Sequence, residues 1–131
     1  MVKRQALGII KKFVEALIRE GISVDRVILY GSYAKAKVRR DSDIDVAIIS
    51  KDFGRDRVEE GMALYRIAGK VDPRLEPVPI SIEAYKNNTW VPLIYEIKTK
   101  GIEIKVASLN FYSSWFMTHT HPKYKDRRSI F

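Results

Sequence analysis

Two short apolar runs joined through a polar corner constrain this chain more than any other feature. Val27-Ile28-Leu29-Tyr30 is continuous and apolar, the pattern of a strand buried on both faces. Gly31-Ser32 ends it. The second run, residues 44–49, carries Asp43 just before it and Asp45 within it. Side chains alternate along a strand, so Asp43, Asp45 and Ala47 share one face, while Ile44, Val46 and Ile48 point to the other. Such a pair of strands needs cover on both faces, and it presents two carboxylates side by side at one end.

The remaining elements supply that cover. Residues 4–20 read as an amphipathic helix with Leu7, Ile10, Val14, Leu17 and Ile18 at helical spacing and Gly21 as its stop. Tyr33 to Ala36 is expected to form a short helix. Residues 56–70 read as a second long helix, with Val58, Met62, Tyr65 and Ala68 near one stripe, helped by Leu64 and Ile67. Leu75 to Ser81 reads as a strand with Glu76, Val78 and Ile80 on one face. Pro77 and Pro79 cannot donate to a ladder, which puts this strand at a sheet edge. Ser81 caps a short helix through Tyr85, residues 90–100 form a further helix ended by Gly101, and Ile102 to Val106 alternates as a last strand. The expected fold is therefore α+β, a mixed sheet of about four strands with helices packed on it. It occupies residues 1–107, followed by an irregular basic and aromatic tail over 108–131.

Composition narrows the chemistry. With 131 residues the chain is long enough for one domain with a real core. It has no cysteine, which excludes disulfides, thiolate metal sites and cysteine nucleophiles and fits a reducing, cytoplasmic setting. No run approaches the ~18 apolar residues of a membrane span. The formal charge of +8 attracts polyanions.

The segment GSYAKAKVRRDSDIDVAIIS concentrates the chemistry. A glycine at a strand exit lets the backbone approach a ligand closely, and free N–H groups at the start of a following turn favour phosphate. Two carboxylates at i and i+2 repel each other, and a divalent cation removes that conflict. Lys35, Lys37, Arg39 and Arg40 crowd the intervening loop, where Lys35 and Arg39 are candidates to hold phosphate. His119 and His121, and the aromatics Phe111, Tyr112, Trp115 and Phe116, lie in the tail without a pattern that demands a metal or a base-stacking role.

Gly-Ser, ten residues, then Asp-x-Asp resembles the signature of the DNA polymerase β-like nucleotidyltransferase superfamily, and within it the minimal nucleotidyltransferases. The resemblance implies that Gly31 and Ser32 grip a nucleoside triphosphate, with ATP as substrate. It also implies that Asp43, Asp45 and a third carboxylate on a later strand hold two magnesium ions. Glu76 and Asp72 are the candidates for that third position, and strand placement favours Glu76. The chain departs from the pattern at Ala36, where relatives commonly carry glycine. Small chains of this group resemble the antitoxin half of two-component modules, which implies transfer of AMP to a tyrosine of a helical HEPN-domain toxin. Two other readings stand beside it. One is a catalytically weak antitoxin that masks its partner through the tail; the other is an enzyme acting on nucleic acid or a small molecule. Assembly with itself or with a partner chain is compatible with each of them.

Overall fold

The computed structural model describes residues 2–35 and 42–105, with side chains from Arg4 onward. The expected positions Ala36, Lys37, Arg39 and Arg40, and the tail from 108 with its two histidines and four aromatics, lie outside the described residues, as does the expected domain boundary at 107.

The order of elements is α1 (Val2–Arg19), β1 (Arg26–Tyr30), β2 (Ile44–Ser50), α2 (Arg57–Val71), β3 (Leu75–Ser81), α3 (Ile82–Asn87), α4 (Pro92–Lys100) and β4 (Ile102–Ile104). The strands form one sheet in the order β3-β2-β1-β4. β1 runs antiparallel to β2 and to β4, while β2 and β3 are parallel. A parallel pair needs a crossover, and α2 provides it. The sheet is thus mixed, as expected. β3 is an edge strand, and both prolines lie in it, where the outer side of the ladder requires no donors.

The alternation of β2 divides the protein into two cores. Ile44, Val46 and Ile48 join Val27 and Leu29 under α1 and α2, with Ile10, Phe13, Val14 and Leu17 fully buried. Ala47 and Ile49 join Ile28 and Ile80 under α4, which contributes Ile94 and Ile97. The helices therefore cover both faces. Among the described residues, no helix is long and apolar enough to cross a membrane.

Three expectations need correction. On α1, Leu7 is at the surface and Phe13 takes the central place. On α2, Val58, Met62 and Tyr65 are 72%, 63% and 58% exposed, and only Ala68 of the expected stripe faces inward, beside Leu64 and Ile67. The helix carries apolar residues on two faces, so periodicity alone admits two equally regular stripes; the sheet selects Leu64, Ile67 and Ala68. Finally, residues 31–35 form a turn rather than a helix.

The start of α2 is closed by side chains. Asp56 accepts from the N–H of Glu59 at 3.1 Å, and Glu60 reaches back to the N–H groups of Gly54, Arg55 and Asp56. Asp56→Ala removes the cap and is expected to cost about 1 kcal/mol in urea unfolding.

Candidate active site

β1 leaves the sheet at Gly31, whose φ of +71° lies in the left-handed region where a Cβ is disfavoured. The Gly31 carbonyl accepts from the N–H groups of Ala34 and Lys35, each at 3.1 Å, which closes a tight turn. Tyr33 is buried in the α1/α2 core and anchors that turn. The first N–H groups of a turn of this kind, those of Ser32 and Tyr33, have no acceptor within it. A Cβ on Gly31 would overlap Oδ2 of Asp45. The glycine is therefore the condition for bringing the corner against the carboxylate.

The parallel register places Asp45 opposite Glu76, and the antiparallel register places it opposite Tyr30. Neighbouring residues in register share a face, so Asp45, Glu76 and Tyr30 project together. Asp43 precedes β2 and is exposed. The Asp45 carboxyl is held above the usual range, first by burial and then by the charges of Asp43, Glu76 and Glu96. Tyr30 is pushed up to about 12 by burial, with Asp45, Glu96 and Glu76 adding to it. The Tyr65 hydroxyl, reaching in from α2, donates to Oε2 of Glu76 at 3.3 Å.

Of the expected site residues, the structure thus brings Gly31, Asp43, Asp45 and Glu76 together, with Ser32 next along the turn. Lys35 is exposed at the end of that turn. Asp72, the rival to Glu76, is occupied elsewhere. It accepts from the backbone N–H of Arg74 at 2.8 Å and from its guanidinium at 3.3 Å, and Arg74 holds its carboxyl below the usual range. Three residues near the carboxylates escaped sequence reasoning. Tyr30 reads as ordinary strand core, Tyr65 as an inward helix position, and Glu96 carries no sequence signal at all.

The carboxylates suit a magnesium ion by their chemistry. Among the described residues no three His, Asp or Glu side chains converge into a ready-made cage. Magnesium rarely needs one, since it usually takes one or two carboxylates and completes its shell with water and phosphate. Burial first, and then the charges of Asp43, Glu76 and Glu96, disfavour the ionised Asp45 carboxyl, and a cation bound there would offset both.

The raised carboxyl of Asp45 couples folding to pH. A carboxyl whose folded pKa is raised binds protons more readily in the folded chain, so stability falls as pH rises from the ordinary carboxylate range through the raised value. In chelator, Asp45→Asn is therefore expected to melt above the wild type at neutral pH. The gap should close as pH falls below the ordinary aspartate range. Melting curves of the two proteins across pH check this.

A cavity of about 790 Å³ lies at the opposite end of the sheet, lined in part by Arg26, Ile49, Tyr85 and Lys98. The Tyr85 ring there faces the Arg26 guanidinium at 5.6 Å and the Lys98 ammonium at 4.9 Å. It is remote in the fold from the acidic cluster, whose chemistry outweighs mere volume as a guide to the site.

The family described as polymerase beta, nucleotidyltransferase, matches residues 11–108. A candidate protein adenylyltransferase of Methanocaldococcus jannaschii, MJ0141, is 30% identical over 94 residues, covering 72% of this chain and 90% of its own length. Among solved structures, a candidate nucleotidyltransferase of Sulfolobus solfataricus is similar with a TM-score of 0.55 and 15% identity, over 76% of this chain and 78% of that one. A chain from a toxin–antitoxin structure with AMP-PNP is similar with a TM-score of 0.52 and 19% identity, over 88% of this chain and 96% of that one.

Proposed function

Because the chain belongs to the polymerase β nucleotidyltransferase family, we propose that it transfers AMP from ATP to a hydroxyl acceptor, and that this acceptor is a tyrosine of a helical HEPN-domain toxin. The observation that carries the reading is the in-register pairing of Asp45 with Glu76 on the face where Gly31 meets Asp45. The designation of MJ0141 as a candidate protein adenylyltransferase supports a protein acceptor. The toxin–antitoxin neighbour with AMP-PNP supports both an adenine nucleotide and a toxin as partner.

In this reading the turn from Gly31 holds the triphosphate through its free N–H groups and the Ser32 hydroxyl, with Lys35 and Arg39 as further phosphate contacts. Magnesium bound by Asp43, Asp45 and Glu76 would neutralise charge on the phosphates as the acceptor adds and pyrophosphate departs. Glu76, or Asp45, takes the proton of the attacking hydroxyl. The absence of cysteine agrees with a cytoplasmic location.

The test is direct. The purified chain is incubated with magnesium, α-phosphate-labelled ATP and a HEPN-domain toxin. Label on a toxin tyrosine, with loss of toxin ribonuclease activity, is the expected result. Neutralisation that persists in the Asp43→Asn/Asp45→Asn protein would mean masking instead of catalysis. A steep salt dependence of RNA binding would point to a nucleic-acid acceptor.

A further inference from the structure

Tyr65 brings a nucleophilic hydroxyl from the protein's own chain to the acidic cluster. It stands on α2 and is 58% exposed, yet its Oη donates to Glu76 at 3.3 Å. Glu76 pairs in register with Asp45, so the hydroxyl stands beside one of the carboxylates assigned to catalysis. Packing does not explain its position. Val58 and Met62, on the same stripe, are exposed too, and the bond to the Glu76 carboxylate lies at the surface, where water competes for both groups. Tyr30, the other tyrosine near Asp45, is half-buried against the α4 core and less open to a bulky nucleotide.

We infer that Tyr65 is itself an acceptor, and that the enzyme adenylylates its own chain at this hydroxyl. The inference rests on the nucleotidyl transfer of the preceding subsection. Tyr65 Oη attacks the α-phosphorus of ATP and forms a new O–P bond. The bond from that phosphorus to the α–β bridging oxygen breaks, and pyrophosphate leaves with the electron pair. The phenolic proton passes to Glu76, which already accepts its hydrogen bond, and from there to solvent. The product is a tyrosyl–AMP phosphodiester, with no co-reactant beyond ATP. Glu76 and Tyr65 belong to one chain, so the transfer runs in cis.

The test uses the full chain with ATP and magnesium and no partner, read by intact mass and tandem mass spectrometry. The expected result is one added adenylyl group mapped to Tyr65. It is lost in Tyr65→Phe and kept in Tyr95→Phe, an exposed tyrosine on α4. An Asp43→Asn/Asp45→Asn chain mixed with the active protein stays unmarked. In parallel, calorimetry measures binding of magnesium with α,β-methylene-ATP, whose α–β bridge cannot be cleaved. Binding without a mark at Tyr65, or a mark that survives Tyr65→Phe or appears on the inactive chain, overturns this inference and leaves the proposed function standing. Absence of binding overturns both.

Discussion

Replacing Asp43 and Asp45 with asparagine is expected to lower AMP transfer by about 10³-fold or more without unfolding the protein. Cation-assisted neutralisation of a transferring phosphoryl group is worth several kcal/mol, and ~4 kcal/mol corresponds to roughly 10³ in rate. The fold should survive because one carboxylate stands at the surface and the other is disfavoured in its charged form. Burial and three neighbouring acids disfavour the charged form of Asp45, and Asp43 is exposed. The two candidates for the third carboxylate separate in the same assay. Glu76→Gln follows the double mutant down. Asp72→Asn retains transfer and shows its effect in unfolding, since its carboxylate serves the turn through Arg74. Quenched-flow or labelled-ATP assays beside urea melts check all three variants.

Gly31→Ala is the second large effect, and it should damage both stability and activity. An alanine at φ +71° carries backbone strain of about 1–3 kcal/mol. Its Cβ also meets the Asp45 carboxylate, which must swing away from Glu76 or push the turn outward. Displacements near 1 Å cost about 10²-fold in rate where the chemistry depends on orientation. Gly61→Ala is the internal control. That helical glycine has open space around its Cβ position, so alanine should stabilise by up to about 1 kcal/mol and leave transfer intact. Urea unfolding and transfer rates of both variants check the contrast.

Much of this site was legible from the chain because strands obey a two-residue period. Once β2 was placed, Asp43 and Asp45 had to share a face, and once β3 was placed, Glu76 could oppose Asp45 in a parallel register. The prolines of β3 announced an edge because they lack a donor. What escaped prediction depends on helices docking from a distance. α2 offers two apolar stripes, and only its contact with the sheet decides that Tyr65 faces outward toward Glu76. Glu96 acts on Asp45 because α4 packs beneath Ile28 and Ala47, a relation that no local pattern encodes. The sequence suggests a short helix from Tyr33 to Ala36, whereas its described part, Tyr33 to Lys35, lies in a turn, for a related reason: Tyr33 is drawn into the α1 core, and that long-range anchor sets the local backbone.

The decisive measurement is a crystal grown with manganese and α,β-methylene-ATP. Anomalous scattering is expected between Asp43, Asp45 and Glu76, with the triphosphate resting on the N–H groups that follow Gly31. Manganese away from these three carboxylates, or phosphates seated at the far end of the sheet beside Arg26 and Lys98, would contradict this expectation.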